Sequence, residues 1–389
     1  RGVSASSDAI TVANDGTCSA NVTSINGGQL SNRNKIINGE ALVSQRGTTQ
    51  HGTSATYTAI DRFSTRTGSS YDFDVEVSQS TDTPDGFSKS LKISPRVTST
   101  PSASQNGAIQ TKLEGQDVQD FAYGTSSAKS ITLSFYAKSG SAGAGTYSIE
   151  LHFVNASGSV FQQTRAFTVT SSWQRFSFTF EGNGSATSNA VKNNNQDGFR
   201  VIWHLASGPD DQTSAITTWQ TTSAMQTISG MDNFMSSTSN ELYLTGVQLE
   251  VGSVATEFEH RSFAEELALC QRYFYMAANY LIPGNGSQGS AICDNATIYN
   301  GATAFFSIPF PVTMRTKPSL FATASSTFAF YLPQGGLTAF TNGPSLDGVT
   351  TTTIGNCSFG GSFDSYIGQS IMLRTRNSQT GQLAFQAEL

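Results

Sequence analysis

The 389 residues carry 22 Lys and Arg against 28 Asp and Glu, a formal net charge of -6, and charged residues make up only 13% of the chain. That balance, with no cluster of Lys and Arg, argues against nucleic acid as a partner, and no apolar run approaches the roughly 18 residues needed for membrane insertion. Aromatics at 11%, including 26 Phe, separate the chain from disordered sequences and predict Phe-rich β interiors in two or three domains.

The chain opens Arg1-Gly2-Val3, with neither an initiator Met nor a signal pattern, so this end reads as a processed or internal boundary with residues upstream. Residues 1–34 are polar and Gly-rich without sustained periodicity, the pattern of an attachment arm or connector. Ile36 and Ile37 begin a short strand that stops at the turn dipeptide Asn38-Gly39, with Ala41 to Gln45 as its expected partner. Strand signals then recur across residues 35–260. Ser88 to Ser94 alternates, and Ile131 to Lys138 places Ile131, Leu133, Phe135 and Ala137 on one face. Gly140 to Gly145 reads as a hairpin connection, followed by Tyr147 to Val154, Phe161 to Val169, Trp173 to Phe180, Phe199 to Leu205 and Leu242 to Val251. In the last of these, Val247, Leu249 and Val251 share one face, and Gln248 and Glu250 the other. Short alternating strands without an intervening helix predict a two-sheet jelly roll.

A helical joint is expected over residues 261–282. Ser262-Phe263-Ala264-Glu265 fits a capping box, so a helix starts near Phe263 and runs to about Tyr280. Phe263, Leu267, Cys270, Phe274 and Ala277 step by four and three, making a seam that suits either a sandwich edge or the contact between copies in a homo-oligomer, a trimer in this reading. After the breaker Pro283-Gly284-Asn285-Gly286, residues 283–389 return to strands at Thr303 to Pro309, Ser319 to Leu332, Val349 to Ile354, Ser370 to Arg376 and Gln382 to Leu389. The expected architecture is mainly β, a jelly-roll β-sandwich joined by one short helix to a second, smaller C-terminal β-sandwich. No fixed internal period appears, which argues against a parallel β-helix.

Two stretches, Ser31 to Gly47 (SNRNKIINGEALVSQRG) and Glu241 to Arg272 (ELYLTGVQLEVGSVATEFEHRSFAEELALCQR), resemble a module of structural fibre, spike and appendage proteins of tailed bacteriophages, particularly those of marine bacteria. Phe310 to Pro318 resembles a segment of distal fibre domains. The order SFYAKSG, SSWQRFSFTFEG, LYLTGVQLEVGS is also similar to carbohydrate-binding modules of the galactose-binding-like jelly-roll type. These resemblances imply a virion structural protein, assembled in the bacterial cytoplasm and exposed outside the cell. They imply a homotrimer, attached to other virion proteins through its N-terminal arm and to host-surface glycan through its jelly roll. They bring no catalytic motif.

Searched for chemistry, the sequence offers little that converges. His51, His152, His204 and His260 lack metal-ligand spacing, and Cys18, Cys270, Cys293 and Cys357 are dispersed, so neither a metal nor a cofactor is expected. His152 and His204 sit in alternating strands and read first as sheet-surface or satisfied interior residues. Cys270 reads as a small hydrophobe. The acid pairs Asp210-Asp211, Glu257 with Glu259, and Glu265-Glu266 are the candidates for glycan cleavage, but a loop, a cap and a wet helical face explain them as well. Sugar binding through exposed aromatics would use Trp219, in the polar run ITTWQTTS, with Trp203, Tyr71 and Tyr123. The sequence thus favours a non-enzymatic host-attachment protein. A polysaccharide depolymerase and a purely architectural decoration or adaptor protein are the alternatives.

Overall fold

A computed structural model describes residues 10–12, 18–20, 31–53, 56–184, 190–221, 226–279, 291–322, 328–332, 336–339, 342–363, 367–375 and 382–389. Two six-stranded sheets dominate. The first runs, in spatial order, Gln220–Thr221, Val160–Val169, Gly145–Val154, Asp197–Ser207, Asn106–Glu114 and Phe63–Gly68; the second runs Gln174–Phe180, Ile131–Ser139, Leu242–Val251, Ser90–Pro95, Val75–Ser80 and Thr49–Gly52. All neighbours within them are antiparallel. The expected alternation sets the faces. Ile149, Leu151 and Phe153 turn inward beside Phe199, Val201 and Trp203, and meet Ile131, Leu133 and Phe135 of the second sheet in one buried cluster. Phe135 meets Trp203 edge-on at 5.7 Å and Phe167 at 5.5 Å, and each ring so buried contributes about 1.5–3 kcal/mol.

The second unit is smaller. Seven strands, in the order Gly336–Ala339, Phe328–Leu332, Ser370–Thr375, Ala291–Asn300, Thr303–Pro309, Ile354–Gly360 and Asn342–Leu346, form one sheet; Phe274–Asn279, Gln382–Gln386 and Ser319–Ala322 form another. Phe306, Phe359, Leu373 and Phe385 fill the space between. The molecule is therefore mainly β and sandwich-like, with one α-helix among the described residues, Phe263–Gln271.

Several local expectations need correction. The helix ends at Gln271, because Phe274–Asn279 pairs with Gln382–Gln386 near the end of the chain. The seam is therefore divided between a helix and a strand: Cys270 and Phe274 are buried within this chain, Leu267 and Ala277 are half-buried, and Phe263 alone is exposed. The Gly140–Gly145 stretch closes no hairpin, since the strands it joins belong to different sheets. Residues 36–45 form no strand pair; Asn38 turns the chain, and Ala41 donates back to its carbonyl. A strand expected at Val349 to Ile354 begins only at Ile354, after a turn at Gly348–Val349 in which Thr350 N donates to Asp347 O. Within the proposed arm a hairpin pairs Ile10–Val12 with Cys18–Ala20; the rest of residues 1–30 and the Pro283–Gly286 breaker lie outside the described residues.

The two stretches singled out in the sequence meet in space. Lys35 N donates to Leu249 O and Val247 N to Gly39 O, each at 2.9 Å, while Asn34 bridges Val247 O and Leu249 N. Glu266, at the base of the helix, accepts from Asn38 N at 2.5 Å, and Arg261 donates to the carbonyls of Asn34 and Ile36. Leu242–Val251 is consequently buried on both faces. Gln248 and Glu250, expected on a wet face, are covered by residues 256–259, with Thr256 donating to Glu250 and Glu259 N to Gln248.

Candidate functional site

The sheet register gathers a set of polar side chains on the face of the first sheet that points away from the core. Trp203 pairs with Ile109 and Ile149 on the inner face, so their neighbours along each strand point outward. Three rows result. Lys112, Arg200, His152 and Gln162 lie in one; Ser64, Gln110, Ile202, Glu150 and Thr164 in the next; Arg66, Ala108, His204 and Ser148 in the third.

Glu150 is the centre. Its Oε1 lies 3.1 Å from His152 Nδ1 and its Oε2 2.7 Å from His204 Nε2, and all three residues are buried. Burial would raise the carboxyl pKa, but hydrogen bonds and charge from the two imidazoles outweigh it and hold the group well below the usual carboxylate range. For His152, burial pushes the imidazole down and the charges of Arg200 and Arg66 add to it, against the pull of Glu150. Each ring donates to the carboxylate from its near nitrogen, leaving His152 Nε2 and His204 Nδ1 without a partner among the described residues.

Those two atoms are not isolated. Gln110 Oε1, Ser148 Oγ, Gln162 Oε1 and Arg66 Nη1 are also buried and unpartnered, on the same face. Leaving such groups unsatisfied costs about 1–3 kcal/mol each, so six together mark a polar layer enclosed beneath this face. Ser148 stands across from His204 in register, yet its hydroxyl makes no bond to the imidazole, so no nucleophile–base pair forms there. The loop after Ser207 closes one end of the face. Asn106 Nδ2 donates to Asp211 at 2.5 Å, and Thr227 to Ser207 Oγ at 2.8 Å.

The aromatic residues expected to bind sugar sit elsewhere. Trp203 is 1% exposed, between Phe63 and Phe135 in the core. Tyr123 packs among Phe121, Phe153 and Phe199, and Tyr71 is buried with its hydroxyl bonded to Ser99. Trp219 is half-buried; its ring packs edge-on against Phe153 and Tyr123, and its Nε1 donates to Glu181 O. The rings are occupied by packing, because the strands that carry them turn them into the sandwich or onto its edge.

The acid pairs are likewise separated. Asp210 is exposed while Asp211 is held by Asn106, and Glu257 is 94% exposed with Glu259 bonded to Asn34 N. Glu265 completes the capping box with Ser262, and Glu266 holds Asn38. Among the described residues no group of three or more His, Cys, Asp or Glu could hold a metal ion, and no helix is long and apolar enough to cross a membrane.

No protein-family model matches the chain, and no curated protein matches it. Solved structures resemble parts of it distantly. The enzymatically active domain of tailspike protein 4 from bacteriophage CBA120 is 11% identical, with a TM-score of 0.27, over 56% of this chain and 21% of its own length. A family 11 carbohydrate-binding module of a Clostridium thermocellum cellulosomal cellulase is 11% identical, with a TM-score of 0.26, over 56% of this chain and all 100% of its own. A xylan-binding domain from Paenibacillus barcinonensis is 13% identical, with a TM-score of 0.27, over 58% of this chain and 100% of its own. Likenesses at these scores carry no argument about this chain.

Proposed function

We propose that this chain is a virion structural protein of a tailed phage, a tail fibre, spike or capsid-attached appendage, and that it attaches to host-surface glycan through the outer face of its first sheet. The virion assignment rests on the sequence resemblance of Ser31 to Gly47 and Glu241 to Arg272. The binding assignment is carried by one observation: on this face Arg66, Lys112 and Arg200 stay half-exposed beside a layer of buried polar side chains. Their chemistry suits sugar hydroxyls. The two guanidinium groups and the ammonium donate hydrogen bonds that sugar oxygens accept. Without a stacking ring each contact is weak. In the homotrimer implied by the fibre resemblance, several copies engaging one surface raise the effective affinity.

The test uses a panel of purified bacterial surface polysaccharides on a biosensor. Wild-type protein is expected to be retained by at least one, and the Arg66→Gln variant to bind it about tenfold more weakly or worse at an unchanged melting temperature. Retention by none of the panel, or full retention of the Arg66→Gln variant, would sink the assignment.

A further inference from the structure

The three-stranded sheet of the second unit has two differently made faces. Alternation turns Tyr275, Leu383, Phe385 and Leu320 against the second core. The opposite face carries Phe274, Gln386 and Gln382, and sets Met276, Ala384 and Phe321 in one row across the three strands. Arg46 of the first sandwich covers one end of this face, its guanidinium 3.6 Å from the centre of the Phe274 ring and 5.4 Å from that of Tyr57. Beside it lies a cavity of about 380 Å³. The second unit lines it with Met276, Gln382, Gln386 and Phe321, and the first sandwich with Arg46, Gln50 and Tyr57.

Small-molecule sites favour such junctions between domains, at volumes of about 300–1,000 Å³. The lining of this one selects a class of ligand. Phe321 is 44% exposed although Leu320 and Ala322 on either side of it pack against the second core, so its ring gives the cavity an apolar surface the chain leaves open. Three glutamine amides supply planar groups that both donate and accept, and Gln50 is fixed among them by donating from Nε2 to Arg46 O at 2.9 Å. Of the described residues lining the cavity, Arg46 alone is charged. Its charge and that of Arg62 are met by Glu388 and Asp61, so an ionic ligand would enter without a counter-ion. An uncharged, polyhydroxylated ring suits both parts of the lining: its hydroxyls exchange hydrogen bonds with the amides, and its C–H face packs on Phe321 and Tyr57.

We propose that the junction between the two sandwiches is a binding site for a neutral saccharide, with Phe321 as its stacking ring and the glutamine amides as its hydrogen-bonding groups. This site is separate from the outer face of the first sheet and does not depend on it. The test is NMR of the whole chain with labelled methionine methyl groups, the Met276 signal being assigned through Met276→Leu. Maltose, cellobiose, lactose and diacetylchitobiose are titrated to about 10 mM, with glucuronate and glucosamine as charged counterparts.

At least one neutral disaccharide is expected to shift the Met276 signal saturably. Phe321→Ala is expected to weaken that binding about tenfold or more at an unchanged melting temperature, and Phe321→Trp, which keeps a ring, to retain it. A Met276 signal unmoved by all four disaccharides overturns the proposal. Shifts as large with glucuronate or glucosamine overturn the neutral class, and a saturable shift untouched by Phe321→Ala overturns the assigned site. Polysaccharide retention that is lost in Arg66→Gln, with Met276 unmoved by any sugar, upholds the first-sheet reading and overturns this one. A saturable Met276 shift in a protein retained by none of the polysaccharide panel does the reverse.

Discussion

Asp61 shows how tightly this chain sets the charge of single buried residues. Its carboxyl is buried, with Oδ1 accepting from Gln45 N at 3.1 Å, Oδ2 from Gln45 Nε2 at 2.5 Å, and Arg46 Nη1 standing 3.6 Å away. Burial pushes its pKa up to about 6 despite the pull of Arg46 and Gln45. The folded state therefore holds this proton more tightly than the unfolded chain does. Stability from this source is complete below the unfolded value of 3.8 and is lost as the pH rises through about 6, a change of about 3 kcal/mol. Asp61→Asn removes the titration. Thermal melts between pH 4 and 7 should show a fall for wild type that is absent from the variant. Parallel profiles for the two proteins would mean that Asp61 keeps its ordinary pKa and that Arg46 fully offsets its burial.

At the scale of elements, the approach of residues 34–39 to Leu242–Val251 depends on Gly39. A methyl group there would lie 2.1 Å from Val247 O and 3.4 Å from Asn34 Nδ2, in the midst of the hydrogen bonds that fasten the two segments. Gly39→Ala should therefore cost about 1–3 kcal/mol and speed hydrogen exchange at the Val247 and Leu249 amides. Gly348→Ala, where an added methyl meets nothing within 4 Å, is the control. A Gly39→Ala variant with a wild-type denaturation midpoint would show that the segment docks independently of this contact. The same region shows what a sequence discloses. Ser262 and Glu265 lie within one turn, so the capping box was legible and is present; Thr303–Pro309 and Leu242–Val251 alternate strongly enough to be bounded to the residue. The helix end was not legible, since Phe274 and Ala277 keep the helical spacing and their partner, Gln382–Gln386, is remote in sequence. The candidate site was hidden for the same reason. The alternation in TYSIELHFV reveals that Ser148, Glu150 and His152 share a face, but only strand order brings Arg66, Gln110 and His204 beside them.

The end of the described chain returns to the first sandwich, and that return couples the two hydrophobic clusters. Glu388 accepts from Arg46 Nη2 at 2.9 Å and pairs with Arg62, whose guanidinium is buried and lies 3.4 Å from the centre of the Tyr273 ring. Arg315 spans the same junction, donating to Asn195 O at 2.8 Å and Ala387 O at 2.7 Å, and Arg272 and Tyr273 both bond Glu114. Two sandwiches fastened by a buried ion pair should unfold together, and removing one partner leaves a charge without its counterion. Glu388→Gln is expected to cost about 3–5 kcal/mol and to split a single calorimetric transition into two, as each cluster melts alone. An apolar replacement of both partners, Arg62→Leu with Glu388→Leu, should recover part of the stability, because Arg46 then keeps Asp61 as its carboxylate, while the transitions stay less coupled. If Glu388→Gln still melts in one transition at the wild-type temperature, the coupling resides in the backbone contacts of Arg315 and the Glu114 cluster. In that case an Arg315→Ala variant should be the one that separates the two units.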